Sequence, residues 1–214
     1  MTTTMLPTVP SSYLARVRGL LQDGQRKLLG LVGPPGAGKS TLALALQHAF
    51  ADVSQVVAMD GYHLANVELH RLGRSERKGA PDTFDSAGYV AMLRRLQQQG
   101  PGEIVYAPEF RREIDEPVAG AIPVFPQTRL VITEGNYLLL DSGHWANVAA
   151  LLDEVWYVDV DDSLRTKRLT QRHEQFGRSR QDAMAWVSGT DEPNARLIAT
   201  TKPHANLVFR WDGA

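Results

Sequence analysis

Nine consecutive residues, Gly33-Pro34-Pro35-Gly36-Ala37-Gly38-Lys39-Ser40-Thr41, carry the densest chemical signal in the chain. They fit the pattern G-x-x-x-x-G-K-[ST], in which glycines let the backbone turn tightly enough for successive N–H groups to converge on one anion. Lys39 can reach the β- and γ-phosphates of a nucleoside triphosphate, and the Ser40 hydroxyl can ligate Mg²⁺. The flanks agree with this chemistry. Leu28, Leu29, Leu31 and Val32 form an apolar run before the loop, and Leu42, Leu44, Leu46 and Phe50 begin a helical pattern after it. The helix adds its free amides and the positive end of its dipole. ATP and Mg²⁺ are therefore the expected ligands of residues Gly33 to Thr41.

Two acids follow buried runs. Asp60 ends Ser54 to Met59, and Glu134 ends the run that starts at Leu130. In a parallel α/β sheet the carboxyl ends of the strands face one crevice, so both acids are predicted on the edge that holds the phosphate loop. A carboxylate at Asp60 can accept the proton of an attacking hydroxyl or help hold Mg²⁺, and it can equally cap the next turn. Glu134 can hold Mg²⁺ directly or through a water, or serve the strand end alone. Further on, Arg165, Arg168 and Arg172 fall three and four apart on one helix face behind Asp161 or Asp162 as cap. Such a row can clamp phosphates, or it can be a solvated face.

The elements that must position these groups can be read along the chain. Met1 to Pro10 reads as a flexible tail, and Ser11 or Ser12 as the cap of a first helix with Leu14, Val17, Leu20 and Leu21 on one side. A charged stretch from His70 to Gly79 leads to Pro81-Asp82-Thr83-Phe84-Asp85 and a helix through Tyr89 and Leu96, with Asp85 as its N-cap. Glu103 to Tyr106 reads as a short strand, His144 to Leu152 as a helix and Val155 to Val160 as a buried strand. Phe176 to Lys202 is helical with a break at Gly189 to Pro193, and Ala205 to Phe209 reads as the closing strand. The pattern predicts one α/β domain over residues 1–214. It is a three-layer fold with a parallel central sheet of about five strands, helices on both faces and a small lid within 161–180.

Composition narrows the class. With 214 residues, 43% hydrophobic and 22% charged, the chain has the make-up of an ordinary globular protein. A net charge of -1 gives no reason to expect a broad nucleic-acid or membrane surface. Absence of cysteine excludes disulfides and thiolate chemistry. The start MTTTMLPTVP lacks an apolar core of the export-signal kind, and no run reaches the ~20 apolar residues of a membrane span. These features predict a cytoplasmic protein.

The order MDGYH, then RKGAPDTFD, then an amphipathic helix resembles the phosphoribulokinase, uridine kinase and bacterial pantothenate kinase family of P-loop kinases. Its pantothenate kinase branch carries a similar TDGF…RKGFPESYD pattern. In length and motif order the chain is most similar to the family's short bacterial proteins described as nucleoside/nucleotide kinase-like or fructose-transport-system kinase-like. The resemblance implies that Asp60 is the catalytic base and that Glu134, in a strand ending Glu-Gly, is the local Walker B acid. It places Arg77 and Lys78 near the acceptor, and Tyr106, Phe110 and Arg112 in the acceptor pocket. It makes Arg168 and Arg172, within R-x-x-R-x-x-x-R-H, lid residues, and sets Asn194 to Thr201 near the adenine. Tyr62, His63 and Asn136 follow the two acids at the crevice. The expected activity is γ-phosphoryl transfer from ATP to a hydroxyl of a small metabolite such as a nucleoside, pantothenate or fructose, and the resemblance allows a homodimer. A regulatory NTPase acting on a protein partner is the rival reading. The Asn-Lys-x-Asp run of guanine-specific switches is absent.

Overall fold

The computed structural model describes residues 6–211. Helix α1 (Ser11–Leu20) leads into β1 (Lys27–Val32), the phosphate-loop segment, α2 (Lys39–Ala49) and β2 (Ser54–Val56). Helices α3 (Asn66–Arg71) and α4 (Ser86–Gln97) precede β3 (Val105–Arg111), β4 (Glu116–Val124), β5 (Leu130–Gly135) and β6 (Glu154–Val158). Helices α5 (Asp162–Gln175), α6 (Arg180–Trp186) and α7 (Glu192–Ala199) lead to β7 (Leu207–Phe209). Five of the strands form one parallel sheet in the order β2-β5-β1-β6-β7. Every residue of β5 and β6, and all but the first of β1, is buried, as strands covered on both faces must be.

Two apolar cores lie on the two faces. One contains Tyr89, Leu93, Tyr137 and Trp145 beneath α4, and the other contains Val17, Leu42, Leu46 and Phe209 beneath α1 and α2. The α/β fold with a parallel sheet flanked by helices is as expected. Asp85 caps α4 by accepting from the Gly88 N–H at 2.8 Å, and Asp161 caps α5 through the Ser163 and Leu164 amides.

Several local expectations are corrected. The second strand stops at Val56. Its pairing continues only through the Val57 N–H to Ile132 O, after which Met59–Tyr62 closes into a 3₁₀ turn. The short strand expected at Glu103–Tyr106 begins at Val105 and extends to Arg111, where it pairs with β4 as an antiparallel ribbon outside the central sheet. Two 3₁₀ turns, Gly143–Asn147 and Ala149–Leu151, replace the helix expected after His144. Helix α1 starts on Pro10 with no side-chain cap from Ser11 or Ser12. Of the expected tail, Met1 to Met5 lie outside the described residues, while Val9 is buried in the core beneath α1. The break at Gly189 to Pro193 is instead a π turn, Val187–Asp191, that joins α6 to α7. Pro193 has no N–H to donate, and the Glu192 N–H bonds the Val187 carbonyl, which absorbs the extra residue without ending the helix.

The ribbon meets the sheet edge at Gly61. A Cβ there would stand 2.3 Å from the Pro108 carbonyl oxygen, so only glycine lets β3 close over the turn that carries Asp60. Gly61→Ala should cost about 1–3 kcal/mol. For a chain of this size that lowers the melting temperature by roughly 2–10 °C. Scanning calorimetry would check it, and a melting point within 1 °C of the wild type would show that the contact is not tight.

Candidate active site

The phosphate loop is shaped by one close fit and one open helix end. Gly36 has φ +80° and lies so near α5 that a Cβ would be 2.8 Å from Leu169 Cγ and 2.9 Å from the Arg165 carbonyl oxygen. Gly38, at the start of α2, receives no side-chain cap, which leaves the first amides of that helix open to an anion. Lys39 is buried, and its ammonium donates to Gly33 O at 2.8 Å, Pro34 O at 3.1 Å and Asn136 Oδ1 at 2.7 Å. Burial brings this ammonium down to about 8, although Glu134 and Asp60 pull it upward.

Next to it, the Ser40 hydroxyl donates to Glu134 Oε1 at 2.7 Å. Burial, and then the charge of Asp60, push the Glu134 carboxyl above the usual range. A divalent cation would relieve both penalties, and a hydroxyl oxygen beside a carboxylate oxygen is the donor set Mg²⁺ accepts. Among the described residues no group of three or more His, Asp or Glu side chains could hold a metal by itself.

Asp60 faces this cluster from the 3₁₀ turn. Arg112, at the ribbon tip, approaches Asp60 Oδ2 at 3.5 Å. His63 is packed between the rings of Phe84, at 4.0 Å, and Phe110, at 4.6 Å. Burial holds the imidazole below its usual range despite Asp60, so it is neutral near pH 7. Its Nδ1, 2.7 Å from the Asp60 carbonyl, is then the protonated nitrogen, and Nε2 is left as an acceptor.

One cavity of about 1290 Å³ joins these parts. Lys39, Ser40, Asp60, Glu134, Arg112 and Arg172 all line it. So do Pro35, Gly36, Gly38 and Thr41 of the loop, with His63, Lys78, Phe110, Asn136 and Arg168. Of the predicted loop residues, Gly33 and Pro34 contribute their carbonyls to Lys39, and Ala37 is buried beneath the loop.

Three residues expected at the acceptor are not brought into the cavity. Tyr62 is buried against Tyr89, 5.3 Å away between ring centres. Arg77 is exposed and paired with Asp82, and Tyr106 points out of the ribbon, 54% exposed. Lys78 reaches the cavity, but its ammonium is spent on Asn66 Oδ1 and on both the carbonyl and the carboxylate of Asp115. Asn136 is turned to Lys39. Of the arginine row, Arg165 is buried in ion pairs with Asp162 and Glu192, and only Arg168 and Arg172 line the cavity. Of the stretch Asn194 to Thr201, Asn194 alone reaches the cavity wall, where it donates to Gly79 O at 3.4 Å. That is the side of Tyr137, whose hydroxyl donates to the same carbonyl.

Sequence reasoning missed several cavity residues. Asp191 accepts from or pairs with His173 Nε2 at 2.9 Å, which ties the π turn to α5. Pro7, Thr8, Pro10 and Trp211 also line the cavity. Nothing in their spacing marks them, because tertiary packing alone brings the two ends of the chain beside the loop.

The sequence model of the phosphoribulokinase/uridine kinase family matches residues 28–211. The chain belongs to this family. A Schizosaccharomyces pombe protein named "putative uridine kinase" is 37% identical over 163 residues, covering 72% of this chain and 69% of that one. The Escherichia coli protein YggC is 34% identical over 189 residues, covering 86% and 77%. Among solved structures, the "putative fructose transport system kinase" of Silicibacter sp. TM1040 superposes with a TM-score of 0.80 at 37% identity, covering 91% of this chain and 97% of that one. As a member of the phosphoribulokinase/uridine kinase family, the protein is a P-loop kinase and a small-molecule phosphotransferase that uses ATP. Among the described residues no helix is long and apolar enough to cross a membrane.

The buried ammonium sets a pH test for this kinase. Only protonated Lys39 attracts a triphosphate, so affinity should be level near pH 7. It should fall by about tenfold per pH unit well above 8, where the free protein has lost that proton. Calorimetric titration of ATP from pH 7 to 9.5 measures this. The slope should vanish in Lys39→Met, which binds weakly throughout, and an equal slope in both proteins would remove Lys39 as its source.

Proposed function

We propose that this kinase transfers the γ-phosphoryl group of Mg·ATP to a hydroxyl group of a small metabolite, with Asp60 as the general base. The observation that carries the reading is the joint occupancy of one cavity by two different sets of residues. The phosphate loop with Ser40 and Glu134 forms one set, and Asp60, His63, Phe110 and Arg112 form the other. A volume of about 1290 Å³ exceeds the roughly 300–1,000 Å³ of a pocket for one small ligand, which leaves room for donor and acceptor together.

In this reading the loop amides and Lys39 hold the β- and γ-phosphates. Ser40 and Glu134 hold Mg²⁺, which neutralises charge on the phosphate oxygens. The acceptor oxygen attacks the γ-phosphorus as the bond to the β-phosphate oxygen breaks, and its proton passes to the Asp60 carboxylate. Arg112, Arg168 and Arg172 are cations that line the space where charge spreads over the transferring group. Burial, reinforced by Arg112, already holds the Arg172 guanidinium below its usual range, so an anion between them is favoured. His63 Nε2 and the face of Phe110 suit an acceptor that has hydroxyl groups on an apolar frame. A nucleoside, a pantothenate-like polyol or a sugar such as fructose meets that description, in keeping with relatives named for uridine and pantothenate. The same reading makes the chain one kinase domain with 161–180 as its lid, working in the cytoplasm where ATP is available.

The test is ADP release from Mg·ATP with a panel of nucleosides, pantothenate, hexoses and other polyols. One compound should stimulate release strongly. Asp60→Asn should then lower turnover by about 10²–10⁴ while ATP affinity, followed by titration, stays within about threefold. Loss of ATP binding with unchanged turnover per bound complex would make Asp60 a binding residue. A flat panel with slow, Asp60-independent hydrolysis would instead favour a regulatory NTPase.

A further inference from the structure

Phosphoryl transfer as described gives no role to the buried pair formed by His173 and Asp191. The two side chains are 17% and 10% exposed, and His173 Nε2 stands 2.9 Å from Asp191 Oδ2. A carboxylate only accepts hydrogen bonds, so the shared proton is the one on Nε2. An acid this far out of water needs that donor, and removing the imidazole leaves it unpaired.

The pair stands where α5 has least support. The first part of that helix is fixed twice, by the close approach of Gly36 to Leu169 and the Arg165 carbonyl, and by the ion pair of Arg165 with Glu192. Beyond Leu169 the helix runs on along the cavity wall, where Arg172 and His173 both line the space. Among the described residues, the bond to Asp191 is the one side-chain hydrogen bond that residues 170–175 make outside their own helix. Trp186 of α6 closes on the same imidazole, 6.4 Å away between ring centres.

Two adjacent acids thus hold one helix. Asp191 ends the π turn and Glu192 begins α7. Their partners, His173 and Arg165, lie roughly 12 Å apart along α5 at ~1.5 Å of rise per residue. Bonds so far apart fix the direction of the helix, and each also fixes its rotation about its own axis. That rotation matters because Arg172 and His173 are consecutive and so point about 100° apart. With His173 turned to the π turn, Arg172 is turned to the cavity that Arg112, Asp60 and Glu134 also line. The charges agree with this placement. Burial and then Arg112 hold the Arg172 guanidinium below its usual range, and Asp191 opposes them more than Asp60 or Glu134 does.

We propose that His173 and Asp191 are positioning residues that set the rotation of α5 and so aim Arg172 at the γ-phosphate, on the reading above that Arg172 serves the transferring group. Neither side chain needs to touch the nucleotide for this. The π turn then has a purpose, since it is the segment that presents Asp191 to the unsupported end of α5.

Calorimetric titration with Mg·ATP and with Mg·ADP, no acceptor being present, separates the γ-phosphate from the rest of the nucleotide. His173→Leu and Asp191→Ala should each lower the preference for ATP over ADP about tenfold while ADP affinity stays within about twofold. His173→Gln puts an amide N–H near the place of Nε2 and should restore the preference to within about threefold of the wild type. Arg172→Ala should lower the preference by a similar factor. Arg172→Ala combined with His173→Leu should lower it no further, because the pair acts through that arginine. Additive losses in the double variant would overturn the proposal, and so would an unchanged preference in His173→Leu or an equal weakening of ADP binding. An unchanged preference in Arg172→Ala would overturn the reading of Arg172 itself, and the role of the pair with it.

Discussion

Lys39 is an ammonium held almost out of water at the mouth of a parallel sheet, and most of the site follows from what that burial demands. A buried cation needs all its protons satisfied and a counter-charge nearby. The register supplies the first requirement. Val32 of β1 lies beside Gly135 of β5, so the residues that follow, Gly33 and Asn136, emerge next to each other and both accept from Lys39. Glu134 supplies the second, one residue before the strand ends and bonded to Ser40. Burial weakens the proton affinity of Lys39 and strengthens that of Glu134, so an anion beside the first and a cation beside the second would each be favoured electrostatically.

The acceptor side is assembled differently. Asp60 lies beyond β2, after the last bond of the strand edge, from Val57 to Ile132. What fixes its surroundings is the ribbon of β3 and β4, which is not part of the sheet. The ribbon rests on Gly61, brings Phe110 against His63 and carries Arg112 toward Asp60. Its tip is tied down from the other side, where the Asn66 N–H meets the Glu116 carboxylate and Lys78 meets Asp115. Lys78 thus holds the ribbon tip that carries Arg112.

Division of labour along α5 has the same logic. Arg165, Arg168 and Arg172 share a helical face in projection, yet the helix leans on the loop at Leu169 and Arg165, as the close approach to Gly36 requires. Arg165 is then enclosed and must be neutralised by Asp162 and Glu192, whereas Arg168 and Arg172 extend past the contact into the cavity.

The sequence alone determined whatever depends on local chemistry and on period. The phosphate loop, the buried runs of β1, β5 and β6, the cap Asp85 and the acid Glu134 near the end of β5 all follow from residue type and spacing. Each is set by interactions within a few residues, or by the rule that parallel strands end at one edge. Only the tertiary structure decided which neighbours those residues would have. Tyr62 and Asp60 are two positions apart, yet one enters the core and the other the cavity, because both lie in a 3₁₀ turn that points them in different directions. The β3–β4 ribbon, the pairing of Arg165 and the approach of Pro7 and Trp211 to the loop join residues distant in the chain. Such contacts arise from packing surfaces, and packing surfaces leave no periodic trace in a single sequence.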